Sequence, residues 1–427
     1  NKFSVNNGIL SNGAINISGD GTLTVEGATN AVGAYGDIVV NSGKIIANNC
    51  KKGLVCIETG NITVNGGTLE LSIREKGLAT TKGDITINNG TVKITANDNS
   101  NDSDGIHANG ETNDETNKVV GGNVYIHGGT VNIDVGYDAI TAYNNIEVDG
   151  NAKITATSGD DGFDVSDGNI TISGYAEVIA TSKDDGIVAE GKGNVNINGN
   201  AKVTVTGNTC DGIHTSEGTI TIGESAEVTA SATSEASDYG IYSSDGNVVI
   251  NGNARITATG NDCGIYVENG NVSIAESAKV TAIGDSSEGI YVGDGNVNIG
   301  GSAEVTAKSN DDVAICAGKI LKISGNAVVT ADGADGEVDI EVNGCTVSDS
   351  AKLNALVQTD NDYTAYGVCD TNNAKSMHPA KLEIKAGAEF TVNAGTVVSV
   401  NEISDLTLDG KLINEGAISI GITDAEN

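Results

Sequence analysis

The sequence predicts an all-β chain. It reads as a single-stranded, right-handed parallel β-helix, a solenoid with three strands per coil and about 24 residues per coil. Three observations carry that expectation. Between Ser158 and Ile222 one pattern occurs three times: an acidic Asp-Gly turn, a short apolar strand, a second strand, a Gly-centred turn and a third strand opening with Ala. Its anchor glycines, Gly162, Gly186 and Gly212, lie 24 and 26 residues apart. Apolar and polar residues alternate almost everywhere, with Val, Ile and Thr dominant, as in half-buried strands. The composition is that of a chain of tight turns: 58 Gly, 1 Pro, no Trp and 3 Phe. One such unit cannot bury its own apolar face, so units must stack, and crossover chirality favours the right hand.

Taken in order, residues 1–50 hold weaker copies of the pattern, at Ile15 and Ile17, Leu23 and Val25, and Ile38 to Val40, and read as early coils or a cap. Regular coils run over 51–337. Their anchors are Gly53, Gly77, Gly105, Ala139, Gly162, Gly186, Gly212, Gly240, Gly264, Gly289 and Ala314, mostly 23 to 28 apart. The step from Gly105 to Ala139 is 34 residues and holds an insertion near 109–120, expected to be a polar loop leaving the body. Middle turns such as Asp149-Gly150-Asn151 and Asn198-Gly199-Asn200 use residues that tolerate positive φ. In the third strand the outward residue runs Lys153, Glu177, Lys202, Glu227, Arg255, Lys279, Glu304, a structural ladder of opposite charges. Residues 338–427 are less regular, with a long segment at 358–378 before Pro379, and read as irregular C-terminal coils and a cap. The whole of 1–427 reads as one continuous domain.

The net charge of −35 argues against nucleic acid, since phosphates would find no counter-charge, and favours divalent cations. No apolar run reaches the length of a membrane span. The chain opens at Asn1 and is expected to be the mature part of an exported protein, extracellular or on the surface of a bacterium, and monomeric. Seven Cys and no C-x-x-C make a zinc cage improbable. A buried thiol ladder is favoured over disulfides, and Cys345 and Cys369, 24 apart, are placed to stack on adjacent coils.

Chemistry is expected in two columns. The residue before the anchor reads Lys52, Lys76, Asp104, Asp138, Asp161, Asp185, Asp211, Tyr239, Cys263, Glu288, Val313. Five successive Asp, flanked by Asp160, Asp164 and Asp184, would repel one another when stacked, and calcium is the natural remedy. The competing account is that Asp-Gly is simply good turn chemistry. Two residues after the anchor the chain reads His107, Thr141, Asp164, Val188, His214, Tyr242, Tyr266, Tyr291, Cys316. The three tyrosines would form a strip on which sugar rings pack, with His107 and His214 in the same column, unless they only stabilise the sheet. No catalytic residue is assigned. Arg74 and Arg255 are the only Arg residues, and Lys183 is the one base near the Asp column, so a calcium-dependent pectate lyase stands as an alternative rather than the main reading.

The segment Ser103–Gly168 carries Asp104-Gly105-Ile106-His107-Ala108, the acidic insertion Glu111–Thr116, Gly128-Gly129-Thr130-Val131 and Asp138-Ala139-Ile140. It resembles the clostridial-type family of extracellular carbohydrate-binding β-helix proteins. The resemblance implies a polysaccharide-lyase-like β-helix with bound calcium that binds cellulose or an acidic plant cell-wall glycan without cleaving it. By this likeness Asp104, Asp138, Asp161 and Asp185 are the calcium ligands. The sequence-based function is therefore a non-catalytic, calcium-bearing polysaccharide binder, with a surface adhesin or structural stalk as a further alternative.

Overall fold

The structure, a computed structural model, describes residues 7–96, 102–113, 118–234 and 238–421. The chain divides into two compact units, Asn1–Thr233 and Ser234–Asn427. Each is built from stacked parallel strands, in turns of about 24 residues, about 17 turns in the two together. Helix is confined to about 1% of the chain.

In the first unit a representative coil is Ile140–Ala142, Ile146–Val148 and Lys153–Ser158. The next is Phe163–Val165, Ile170–Ile172 and Glu177–Ser182. Equivalent residues pair without slippage: Ile140 with Phe163, Phe163 with Ile187, Ile187 with Ile213. Alternation sends Ile146, Val148, Ile154 and Ala156 into the core, where each is at most 2% exposed. A period of two leaves no freedom here, because a one-residue slip would turn every apolar side chain outward.

Two side-chain ladders reinforce the stack. Outside, Lys153 pairs with Glu177 at 2.9 Å and Lys202 with Glu227 at 3.3 Å, the alternation expected of the third strand. At the turn before the second strand, Asn145 N–H donates to Asn123 Oδ1 (3.2 Å), Asn169 N–H to Asn145 Oδ1 (2.9 Å) and Asn194 N–H to Asn169 Oδ1 (3.0 Å). Each amide oxygen thus satisfies a backbone donor that a turn would otherwise leave open. Gly150, at φ 60°, is obligatory in its middle turn: a Cβ there would collide with the His127 carbonyl.

The insertion is more ordered than a loop. Gly110–Asn113 and Lys118–Gly121 pair antiparallel as a hairpin; residues 114–117 lie outside the described part. The hairpin leaves the coil between two bonds that keep the stack closed, Asn109 N–H to Thr80 O (3.1 Å) and Gly122 N–H to Gly83 O (3.1 Å).

The second unit repeats the plan with Ile241–Ser243, Val248–Ile250 and Arg255–Gly260 as its first full coil. The charge ladder continues with Lys279 and Glu304 at 2.6 Å, although Arg255 pairs in register with like-charged Lys279. The segment at 358–378 is not a loop. Lys352–Thr359 turns back antiparallel into Asp362–Tyr366, and the coils then resume around a core that includes Leu356, Ile384, Phe390 and Val392. Cys345 and Cys369 do not stack on one another: Cys345 pairs with Leu321 and Cys369 with Phe390, because the reversal intervenes. All seven cysteines are free thiols, with Cys50, Cys56 and Cys263 buried. They form no ladder: Cys50 pairs with Ile73 and Cys56 with Thr80.

Candidate functional site

In the first unit the position before the anchor forms one continuous edge. Lys52, Lys76 and Asp104 pair in register. Ala139 N–H then donates to Asp161 O, Gly162 N–H to Asp185 O and Gly186 N–H to Asp211 O, each at 2.9 Å. The carboxylates use this geometry as the Asn ladder does. Asp138 Oδ1 accepts from Asp161 N–H (3.1 Å), Asp161 Oδ1 from Asp185 N–H (2.9 Å) and Asp185 Oδ1 from Asp211 N–H (2.7 Å). The turn-chemistry account is therefore part of the answer. It does not remove the charge. Burial and then the charges of Asp104 and Asp164 push Asp138 up to about 8. Burial and then Asp185 and Asp138 push Asp161 up to about 9. Without a cation, Asp138 and Asp161 retain protons at neutral pH.

Asp104, at the end of the run, behaves differently. Burial alone would raise its carboxyl, but His107 and the Lys76 ammonium outweigh burial and hold it below the usual carboxylate range. Lys76 donates to Asp104 Oδ2, His107 Nδ1 lies 2.7 Å from the same oxygen, and Asp102 is 3.8 Å from Lys76 Nζ. The other oxygen, Asp104 Oδ1, is buried without a partner.

These residues open onto a cleft of about 310 Å³ lined by Lys76, Asp102, Asp104, His107, Asn109, Tyr137, Asp138, Thr141, Ala142, Tyr143, Asp164 and Ser166. Thr141 Oγ1 bridges Asp138 Oδ2 (3.3 Å) and Asp164 Oδ2 (2.9 Å). Burial raises Asp164 to about 6 in spite of that bond. The insertion hairpin is tied to the rim through Thr112 Oγ1 and the Tyr143 hydroxyl, 2.9 Å apart. Carboxylates, an amide, a hydroxyl and two phenols converging on one concavity is the pattern of a pocket that orients a polar ligand.

Among the described residues, two sets of acidic and histidine side chains have ligand atoms within 4.8 Å of one another: Asp138, Asp160 and Asp161; and Asp185, Asp211 and His214. The first is all oxygen and suits a hard cation; the second includes an imidazole nitrogen, which calcium disfavours. His214 Nδ1 sits 3.4 Å from Asp185 Oδ2 and 3.8 Å from Asp211 Oδ2. Burial favours the neutral ring, but the two carboxylates prevail and its pKa is raised. Asp184 is set apart from both sets and accepts from Thr209 Oγ1 at 3.3 Å. Lys183, the sequence-based candidate for a lyase base, is exposed and does not line the cleft.

The tyrosines of the second unit pair in register, Tyr242 with Tyr266 and Tyr266 with Tyr291. They do not lie side by side as a flat strip. Tyr266 is stacked face to face between Tyr239 (centroids 4.3 Å, planes 21° apart) and Tyr291 (4.8 Å, 13°). Both faces of Tyr266 are thus covered by neighbouring rings, and Tyr242 is tilted against Tyr239 (5.1 Å, 42°) and Tyr266 (5.4 Å, 59°). All four rings are half-buried.

Of the residues expected to act, the structure gathers Asp104, His107, Asp138 and Asp164 at the cleft; His214 and the three tyrosines do not line it. Reasoning from sequence missed Lys76, Tyr137 and Tyr143. Lys76 carried a signal, since it precedes Asp104 by one coil in the same column. Tyr137 and Tyr143 flank a strand instead of sitting in a repeating position, so no column marked them. Tyr239 follows the five Asp in the column before the anchor, and its ring joins the stack on Tyr266.

Residues 2–102 match the model of a family described as carbohydrate-binding domain-containing protein. The match takes in Lys76 and Asp102 and ends just before the segment that carries Asp104 and His107. No curated protein and no solved structure matches the chain.

Proposed function

We propose that this chain is an extracellular, polysaccharide-binding β-helix of a bacterium, non-catalytic, that carries calcium on its acidic edge and grips cellulose or an acidic plant cell-wall glycan. The family match over residues 2–102, running up to the polar cleft at Asp104, is the observation that carries the reading. Asp138, Asp160 and Asp161 would hold the ion, because their oxygens converge within 4.8 Å of one another and their charges repel. Bound calcium would supply a positive point to which a sugar carboxylate or hydroxyl is drawn. The cleft's own residues would do the rest: Asn109 and Thr141 offer hydrogen bonds, and Tyr137 and Tyr143 offer ring edges.

Binding is favoured over cleavage by one detail. A lyase needs a free base beside the sugar, and the cation in this cleft, Lys76, has its ammonium engaged by Asp104. The test is retention on cellulose and on immobilised polygalacturonate, with calcium and with chelator, alongside the absorbance of unsaturated products. Retention that Asp138→Asn with Asp161→Asn weakens at least about tenfold, with no absorbance change, is expected. Steady release of unsaturated product would overturn the non-catalytic reading, and no retention on any glycan would overturn the function.

A further inference from the structure

A second concavity lies in the second unit, far along the chain from the acidic edge. It measures about 740 Å³ and is lined by residues of 345–354, 366–367 and 385–387. We propose that it is a separate, metal-independent site for carboxylate-bearing sugar units.

The cleft exists because the repeat breaks. Pairing between Ile315–Ile323 and Ile340–Val347 shifts register after Ala317, and the chain then reverses from Lys352–Thr359 into Asp362–Tyr366. The reversal turns at Asp360, where φ is +50°, and the returning strand ends at Gly367, where φ is +58° and a Cβ would strike Asn354. Gly387, at φ +81°, has open space beside it and lines the cleft. Where a regular solenoid departs from its own rule, a functional demand is the first explanation to test.

The lining fixes the ligand's charge. In a chain with 58 acidic and 23 basic residues, this cleft is lined by two lysines, Lys352 and Lys385, and by no carboxylate. Lys385 is paired with Glu383 at 2.6 Å; Lys352 has no acidic partner among the described residues. The Cys345 thiol is pushed up to about 11 by burial, with a hydrogen bond to Tyr366 only partly opposing it, so it adds no negative charge at neutral pH. Charges more than about 8 Å away are screened at physiological ionic strength, so with Lys385 balanced by Glu383 it is Lys352, not the net −35, that sets the local charge. Beside them, Asn354 and Tyr366 offer an amide and a phenol to sugar hydroxyls. The volume lies within the range of pockets that enclose small ligands, about 300–1,000 Å³.

The choice of a sugar rests on the glycan-binding reading; the choice of an anion does not. The experiment is calorimetric titration of the whole chain with trigalacturonate in excess chelator. Binding that persists without metal, weakens with added salt, drops about tenfold in Lys352→Ala and vanishes in Lys352→Ala with Lys385→Ala is expected, with cellotriose giving no lysine-dependent signal. Loss of all trigalacturonate binding in chelator would overturn the proposal, as would an unchanged affinity in Lys352→Ala. Inorganic phosphate binding as tightly as the trisaccharide would overturn the sugar assignment. If calcium-dependent retention survives while the lysine variants are silent, this site fails and the proposed function stands. If no glycan binds in any condition, that function itself fails. Lys352 is exposed, so an unchanged thermal midpoint in its variant checks that the fold is intact.

Discussion

The acidic edge of the first unit and the tyrosine stack of the second occupy neighbouring positions of the same repeat, and they handle crowding in opposite ways. On the acidic edge, like side chains one coil apart each take a backbone N–H and keep a charge that must be neutralised from outside, by a proton or a metal. In the stack, like side chains one coil apart attract through their ring faces and need nothing further. The unit with tyrosines also replaces Asp before the anchor with Cys263 and Glu288, whose Sγ and Oε2 lie 3.5 Å apart and whose pKa values burial raises. One unit is thus tuned to respond to solution conditions and the other is self-sufficient.

That contrast is sharpest in its pH dependence. Asp138 and Asp161 have folded-state pKa values of about 8 and about 9, above the ordinary carboxylate value near 4. Between those limits the unfolded chain releases protons that the folded chain retains, so stability falls as pH rises. The thermal midpoint of the metal-free protein is expected to drop by roughly 5 °C or more between pH 5 and pH 9, and saturating calcium should remove most of that slope. A midpoint that climbs with pH would break the comparison. Next in size is Asp161→Asn. The amide keeps the bond to Asp185 N–H, as the Asn ladder shows, and removes the charge. It should stabilise the metal-free protein by about 2 kcal/mol at pH 8 while reducing the gain from calcium. Destabilisation in a denaturant melt would mean that the carboxylate is already compensated.

In the second unit Tyr266→Ala should cost about 1–1.5 kcal/mol and show little dependence on pH or calcium, whereas Tyr266→Phe should be nearly silent. A calcium-sensitive loss would show that the two regions are not distinct. The smallest effect belongs to the exposed ladder: Lys279→Ala should change stability by less than about 0.5 kcal/mol, at the edge of detection by chemical melt.

The sequence carried the coil and its register because period-two alternation and a fixed repeat leave a single way to stack. Both columns stand where the anchors place them. It carried less of the site. Vertical alignment shows which side chains are neighbours, yet not how each turns about its χ angles, so the tyrosines read equally well as a platform or a pile. The breaks were least legible. The insertion near 109–120 reads as polar, and its described strands, Gly110–Asn113 and Lys118–Gly121, prove to pair as a hairpin; nothing in Gln358–His378 announces an antiparallel reversal, since a turn at Asp360 resembles any other acidic turn of the chain.

The hairpin has a wider implication. Between Thr80 and Gly83 one coil crosses its corner with two residues; the next makes the same crossing, from Ala108 to Gly122, with thirteen, and the hydrogen bonds on either side are undisturbed. Length at this corner is therefore decoupled from the integrity of the stack. Selection is free to lengthen, shorten or rewrite the arm at the mouth of the cleft, and so to change what the cleft accepts, without refolding the scaffold beneath it.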